Sequence, residues 1–174
     1  ARAKDYSGVF FPETVRLAGA DVDVRLVGGG VFRFLFFRYY VCGLYVAVAK
    51  SNAAAILDQD APRRVQVVAL RRITSFEFFW GLDRGLADNM VEADAKALHA
   101  PLEEIRATIR SIGAIATGAR VSIDYVPDAG TSILVDEKLR GTPVAGKLLN
   151  DALMKVWIGE RPLDISLKEA LLGG

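Results

Sequence analysis

The sequence predicts an α+β fold in which helices cover one face of a large, mostly antiparallel sheet. Three observations lead to this prediction. Segments typical of strands fill the first half of the chain, two long helical segments follow them, and further strands and helices complete the sequence. Strands and helices do not alternate regularly along the chain, as they would in a protein built on a parallel sheet. With 174 residues, of which 52% are hydrophobic, the chain is expected to form a single domain over residues 1–174 with one substantial core.

The first half of the chain contains the clearest strand patterns. A short apolar run covers residues 8–11, and apolar and charged residues alternate over residues 21–26. The glycines at 28–30 predict a turn, and the aromatic and β-branched segment at 31–48 predicts the second strand of an antiparallel hairpin. Within that segment, Gly43 indicates a bulge or a bend.

Helix signals begin in the middle of the chain. Either Ser51 or Asn52 is suited to cap a short helix, which a strand over residues 64–70 follows. Thr74 or Ser75 is predicted to cap a long helix, and with Thr74 as the cap, Glu77 comes three residues later, at the spacing of a capping box.

The second half alternates between helical and strand-like segments. Pro101 is expected to break the first helix there or to begin a new helical turn. In chain order, the predicted elements are a helix over 95–112, strands over 120–126 and 131–136, a helix over 144–158, and a short helix capped by Asp164 or Ser166.

Composition excludes several classes of function. The net charge of +1 gives no general electrostatic case for binding nucleic acid or an anionic membrane. One His and one Cys cannot supply a typical zinc site, nor can they form an intrachain disulfide, so no metal is expected. The uncharged stretch at 39–49 is shorter than the roughly 17–25 residues of a spanning helix, so no transmembrane segment is expected.

The N-terminal residues bear on location. Residues 1–5 are polar and do not form a signal peptide. A chain that opens on Ala is compatible with a processed mature form, which slightly favours a periplasmic or secreted location over the cytoplasm. The sequence makes no prediction of oligomeric state.

Few residues suggest covalent chemistry. Cys42 lies in an apolar strand without a neighbouring positive charge, and His99 lies on a polar helix, so neither indicates a nucleophile or its base. The arginine pairs at 63–64 and 71–72 flank one predicted strand. They are interpreted as charges at the rim of the sheet, with the grip of an anionic head group as the alternative.

The aromatic segment at residues 31–40 is the most informative part of the sequence. In a regular strand, Phe32, Phe34, Phe36 and Tyr40 share one face, and Arg33, Leu35, Phe37 and Tyr39 share the other. Because both faces are apolar, both are expected to be covered. Two interpretations follow: sheet core on both sides, or an apolar pocket between sheet and helix with Tyr40 and an arginine as its polar contacts.

This segment and several others resemble the chalcone isomerase family, in particular its bacterial chalcone isomerase-like branch. The similar segments are residues 8–12, the glycine run at 28–30, residues 37–45 (FRYYVCGLY), 51–57, the 74–89 helix, 124–127, 152–159, 162–164 and 167–168. The resemblance implies an open-faced β-sandwich, a large antiparallel sheet covered by a helical layer, with a ligand cleft between them. It also implies that no metal or organic cofactor is needed.

The resemblance implies one of two activities. Chalcone isomerases cyclise a chalcone to a flavanone with a strand arginine and a downstream hydroxyl group, and plant fatty-acid-binding members use the same arginine and a tyrosine to hold a carboxylate. The hydroxyl position corresponds to Tyr40, whereas the arginine position corresponds to Phe32, with Arg33 one residue later. Two helix positions that carry Tyr and Lys in the plant enzymes correspond to Thr74 and Glu77.

The sequence therefore predicts a non-catalytic chalcone isomerase-like protein that binds an apolar small molecule such as a fatty acid or a flavonoid-like compound. Two alternatives stay open: an active isomerase that uses a displaced Arg33 or Arg38, and a structural or interaction protein whose cleft is filled by its own side chains. The candidate catalytic residues are Arg33 and Tyr40, and the candidate ligand-binding residues are Phe32, Arg33, Phe34, Tyr40, Thr74 and Glu77.

Overall fold

The structure of the protein is a computed structural model that describes residues 2–48 and 52–174. The strands of the described residues are β1 (Ala3–Tyr6), β2 (Val9–Pro12), β3 (Thr14–Val15), β4 (Val24–Phe34), β5 (Phe37–Val46), β6 (Arg63–Ala69), β7 (Arg120–Val126), β8 (Gly130–Val135) and β9 (Lys138–Val144). The helices are α1 (Ala53–Asp58), α2 (Ser75–Asn89), α3 (Glu92–Ile112), α4 (Lys147–Ile158) and α5 (Ile165–Leu171).

Strands β3 to β9 form a seven-stranded sheet in the order of the sequence, and all its neighbouring strands are antiparallel. The helices pack on one face of this sheet, and the separate β1–β2 hairpin covers part of the other face. The predicted α+β class, with an open-faced sheet under a helical layer, is thus confirmed. Among the described residues, no helix combines the length and the hydropathy that crossing a bilayer requires.

The turn predicted at Gly28, Gly29 and Gly30 is wrong, because all three glycines lie inside β4. The strand needs them because other elements approach it closely on both faces. A Cβ on Gly28 would lie 2.0 Å from the carbonyl oxygen of Ala170 in α5, and one on Gly29 would lie 2.6 Å from the ring of Tyr6. These contacts leave no room for a side chain at either position.

Gly43 is also not the bulge that the sequence suggested. It pairs directly with Gly29, and a Cβ on it would lie 2.8 Å from the ring of Phe11, which packs against the sheet there. The pairing of β4 with β5 instead shifts register twice, with Val27 as the extra residue on β4 and Tyr39 as the extra residue on β5.

The two faces of β5 carry two different cores. Tyr40, Cys42, Leu44 and Val46 point to the main core between the sheet and the helices. Val41 and Tyr45 point to a smaller core under the N-terminal hairpin, where they pack with Phe11, Leu17, Val24 and Val68. Coverage of both faces was predicted for the aromatic segment at 31–40, and the structure provides it mainly for the residues that follow Tyr39.

Helix caps agree with the sequence where the structure describes them. Asn52 caps α1 by accepting a hydrogen bond from the backbone N–H of Ala55, while the alternative cap Ser51 lies outside the described residues. The capping box of α2 is confirmed, since Thr74 and Glu77 bond each other reciprocally. Asp164 caps α5 through the backbone N–H of Leu167.

Four elements differ from the sequence prediction. Helix α3 continues through Pro101, which neither breaks nor restarts it. Strand β9 occupies residues that were not predicted as a strand, and α4 begins at Lys147 rather than at 144. The β1 strand was also missed, because its four residues are mostly exposed and polar and give no apolar pattern.

The expectation of rim charges is wrong for Arg63 and Arg64, which are both buried. Arg64 binds both carboxylate oxygens of Asp124, at 2.6 and 2.9 Å. Arg63 donates to Asn150 at 2.8 Å and pairs with Asp151, so it connects β6 to helix α4. A buried guanidinium requires such partners, because an unpaired buried charge is strongly destabilising.

Candidate functional site

A mostly apolar cavity lies between the β4–β5 end of the sheet and helices α2 and α4. Its volume is about 250 Å³. Its walls are formed by Phe32, Phe34, Tyr39 and Tyr40 of the sheet, by Ile73, by Phe76, Glu77, Phe78, Trp80, Gly81 and Leu82 of α2, by Val156 and Trp157 of α4, and by Leu163. The cleft predicted between the sheet and the helices is therefore open rather than filled by its own aromatic side chains.

Tyr40 supplies a hydroxyl group to this apolar cavity. The residue is 7% exposed, and its ring stacks on Phe32 with 5.0 Å between the ring centroids. The indole N–H of Trp157 donates to the Tyr40 hydroxyl oxygen at 2.9 Å. Among the described residues, the hydroxyl hydrogen of Tyr40 has no acceptor within bonding distance. Because burial raises the pKa of Tyr40, the phenol stays neutral and can donate to a ligand.

The register shift at Tyr39 shapes the sheet side of the cavity. Neighbouring side chains on a regular strand point to opposite faces. Here Phe32 pairs with Tyr40 and Arg33 with Arg38, so Tyr39 is the extra residue, and both tyrosines line the cavity. Phe32 also lies near the Tyr39 ring, at a centroid distance of 6.2 Å. The bulge thus places two phenol side chains beside one apolar space.

Glu77 brings a negative charge to the cavity wall, whereas its capping partner Thr74 is not among the lining residues. The carboxylate accepts hydrogen bonds from the backbone N–H and the hydroxyl of Thr74, both at 3.0 Å. The backbone N–H of Thr74 lowers the pKa of Glu77, so the group is ionised at neutral pH. An ionised carboxylate there repels an anionic group of a ligand that comes close to it.

Arg33 does not enter the cavity. It is exposed and lies between Phe32 and Phe34, both of which line the cavity, so strand alternation directs Arg33 to the other face. The extra residue of the register shift is on β5 and does not turn Arg33 inward. Arg38, its cross-strand partner, is likewise exposed and is not a lining residue.

Arg71 is the arginine that lies closest to the aromatic rings of the site. Its guanidinium carbon lies 5.0 Å from the ring centroid of Phe37 and 5.0 Å from that of Tyr39. Its positive charge also helps to lower the pKa of Glu77. The sequence had raised head-group binding for the 71–72 pair as an alternative. The position of Arg71 beside Tyr39, a residue of the cavity wall, is consistent with this alternative.

Sequence reasoning missed most of the helical side of the cavity. Phe76 and Trp80 are four residues apart on α2, outside the core stripe that includes Leu82 and Leu86. This second apolar stripe was the signal in the sequence. Phe34 packs against Trp80 with 4.8 Å between ring centroids, which closes the wall between sheet and helix. Trp157 gave no such signal, because a tryptophan on an apolar helix face is usually a core residue.

The residues that suggested covalent or metal chemistry lie apart from the cavity or from each other. Burial in the main core raises the pKa of the Cys42 thiol, which disfavours a reactive thiolate. His99 is exposed on α3. Across residues 2–48 and 52–174, no group of three or more His, Cys, Asp or Glu side chains is arranged to hold a metal ion.

The expectation that both faces of the aromatic segment are covered is wrong for its central part. Residues 33–38 are exposed, with Leu35 at 74% and Phe36 at 99% of full exposure. Phe34 still packs on Trp80 of α2 and Phe37 on Arg71, whereas the described residues leave Leu35 and Phe36 at the end of the hairpin mostly uncovered.

Comparison with known proteins gives the family context of this architecture. The sequence profile of a family described as chalcone isomerase-like matches residues 3–173. The crystal structure of the Arabidopsis thaliana fatty-acid binding protein AtFAP1 is similar, with a TM-score of 0.69 over 96% of this chain and 93% of that chain. The two sequences are 17% identical, so this similarity concerns the fold. No curated protein sequence matches the chain significantly.

Replacing Glu77 with Gln is expected to destabilise the protein at neutral pH by about 0.3–1 kcal/mol, the usual contribution of an acidic residue in the first turn of a helix. Because the folded protein lowers the pKa of Glu77, this contribution is present above the unfolded carboxyl pKa and disappears as the pH falls through the folded one. Urea unfolding of both proteins across this pH range measures it. A difference that does not change with pH would contradict the assignment.

Proposed function

The chain belongs to the chalcone isomerase-like family, and from this premise we propose that it is a non-catalytic member that binds an apolar small molecule between sheet and helices. The observation that carries the proposal is the open cavity of about 250 Å³ with Tyr40 in its wall, because the hydroxyl hydrogen of Tyr40 has no acceptor among the described residues. Its bacterial origin and its location outside the cytoplasm stay predictions from the sequence.

The size of the cavity limits what it can enclose. An engineered apolar cavity of about 150 Å³ accepts benzene, whereas sites for drug-sized ligands span roughly 300–1,000 Å³. A cavity of about 250 Å³ therefore encloses one or two aromatic rings or a segment of an acyl chain. The remainder of a longer ligand extends past Phe34 and Phe76, which are lining residues that are also exposed.

The polar groups favour a ligand with a carbonyl or a carboxylate. Tyr40 offers a neutral donor at the buried end of the cavity. Glu77 opposes an anion near the N-terminus of α2, whereas Arg71 favours one beside Tyr39 and Phe37. A fatty acid with its carboxylate near Arg71 satisfies these groups, and so does a flavonoid-like molecule whose carbonyl accepts from Tyr40.

Phe32 occupies the position that corresponds to the reactive arginine of chalcone isomerases, and this favours a non-catalytic role. An arginine at this position would give a phenolate a charge-assisted hydrogen bond, which a phenylalanine cannot replace. Phe32 faces the cavity and stacks on Tyr40, while Arg33 and Arg38 are exposed outside it. An isomerase mechanism would require one of these arginines to enter the cavity, against the alternation of the strand.

Replacing Tyr40 with Phe is expected to weaken the binding of naringenin, whose carbonyl accepts from Tyr40, about three- to tenfold, the loss of one neutral hydrogen bond. Isothermal titration calorimetry measures the affinity. The matched control is Tyr45→Phe, because the Tyr45 hydroxyl donates to the carbonyl of Pro12 under the N-terminal hairpin. Equal affinities for both variants and the wild type would contradict the role of Tyr40, and no binding of dodecanoate, decanoate or naringenin to the wild type would contradict the proposed function.

Naringenin chalcone is expected to cyclise at its spontaneous rate in the presence of the protein, because none of the described residues that line the cavity with Tyr40 is an arginine. The loss of chalcone absorbance follows the reaction. A rate well above the spontaneous one that Arg33→Ala or Arg38→Ala abolishes would establish the isomerase alternative instead.

A further inference from the structure

The end of the β4–β5 hairpin and the start of α2 present a continuous apolar surface, which we call the tip surface. It consists of Phe34, Leu35, Phe36, Phe37, Phe76 and Trp80, all of which are exposed. Phe36 and Phe76 are 99% and 78% exposed, and Phe34 packs on Trp80 so that hairpin and helix contribute to one surface. Adjacent exposed aromatic side chains of this kind mark an interaction site.

The turn of the hairpin is built from residues that turn geometry disfavours. Leu35 has a φ of +56°, a conformation that turns normally assign to Gly, Asn or Asp. Leu35 and Phe36 are also 74% and 99% exposed, so the folded protein gains little burial from them. A disfavoured backbone conformation at a residue that gains little from packing indicates a role in recognition.

Arginines surround the tip surface. Arg33 and Arg38 lie directly opposite each other across the hairpin, although like charges at such positions destabilise a strand pair. Arg71 packs on Phe37, and the exposed Arg72 follows it. In the described part of the chain, no carboxylate forms an ion pair with any of these four arginines. Glu77, which faces Tyr39 and Arg71, is the acidic group at this end.

We propose that the tip surface docks on a lipid bilayer that contains anionic headgroups. Aromatic and aliphatic side chains enter the boundary between headgroups and acyl chains, and the arginines around them bind lipid phosphates. The charge argues against a second copy of the chain, because symmetric pairing of two tip surfaces would bring eight arginines together. A bilayer supplies both an apolar interior and a negative surface, which match the two parts of the tip.

Docking in this manner orients the cavity toward the membrane. Phe34, Phe76 and Trp80 belong both to the tip surface and to the cavity wall. If the cavity binds an apolar ligand as proposed above, the ligand passes between bilayer and cavity without crossing bulk water. This consequence rests on the proposed function, whereas docking itself depends only on the tip and its arginines.

Vesicle flotation tests the docking. The wild-type protein is expected to float with phosphatidylcholine vesicles that contain phosphatidylglycerol, to bind vesicles of phosphatidylcholine alone at least tenfold less, and to be released by salt. Leu35→Ser with Phe36→Ser is expected to reduce binding at least tenfold. Arg33→Gln with Arg38→Gln is expected to reduce it roughly 25-fold, at about fivefold for each arginine.

Matched variants elsewhere on the surface act as controls. Phe10→Ser removes an exposed aromatic side chain of the N-terminal hairpin, and Arg2→Gln with Lys4→Gln removes two exposed positive charges there. Both are expected to bind vesicles like the wild type. Relative to the wild type, whose own Trp80 lies in the tip surface, lipids brominated in their acyl chains are expected to quench the fluorescence that Phe36→Trp adds and to leave the fluorescence that Phe10→Trp adds unquenched.

Three results would overturn the proposal: no flotation of the wild type at low salt, equal losses in the tip and control variants, or quenching at position 10 rather than 36. A dimer that only the tip variants dissociate, without vesicle binding, would assign the surface to a second copy instead. The tip double variants leave the cavity wall intact and are expected to bind dodecanoate like the wild type. Vesicle binding by a wild-type protein that binds none of dodecanoate, decanoate and naringenin would therefore contradict the proposed function alone.

Discussion

The extra residue on β5 determines what the β4–β5 hairpin can do. From Tyr40 to the C-terminal end of β5, the side chains alternate between the core on the helix side and the core under the N-terminal hairpin. At Tyr39 the register shifts, so Tyr39 and Tyr40 both border the cavity. Between Tyr39 and the turn of the hairpin, the side chains belong to neither core, and the aromatic residues are exposed. One local irregularity therefore separates the covered sheet from the cavity and the exposed tip.

The rest of the fold provides a rigid base for this arrangement. Glycines at positions 28, 29 and 43 allow α5, Tyr6 and Phe11 to pack closely on the two faces of the sheet. The buried guanidinium of Arg63 holds α4 against β6 through Asn150 and Asp151. Because α4 carries Trp157, this connection positions the donor that fixes the Tyr40 hydroxyl. The apolar cavity thus borders a well-packed core, and its only lining carboxylate, within the described residues, is held by a helix cap.

The sequence predicted the features that follow from local periodicity and capping. Helix α2, its capping box and the helix-covered antiparallel sheet follow from residue spacing alone. The glycine run was misinterpreted because a turn and a strand packed closely on both faces require the same residue, and only tertiary contacts distinguish them. Arg63 and Arg64 were misplaced for a similar reason, since their partners Asp151 and Asp124 are distant in sequence. A net charge of +1 likewise averages over the chain and hides the local excess of arginine at the tip.

The proposed binding function depends most on whether a ligand enters the cavity as far as Tyr40. The chain has two tryptophans, Trp80 at the mouth and Trp157 at the buried end, and both line the cavity. Their two indole N–H signals in a ¹⁵N–¹H spectrum report on these positions separately. During titration with dodecanoate, both signals are predicted to shift and to saturate together. A Trp157 signal that stays unchanged while Trp80 shifts would show that the ligand contacts only the surface, and it would contradict the account.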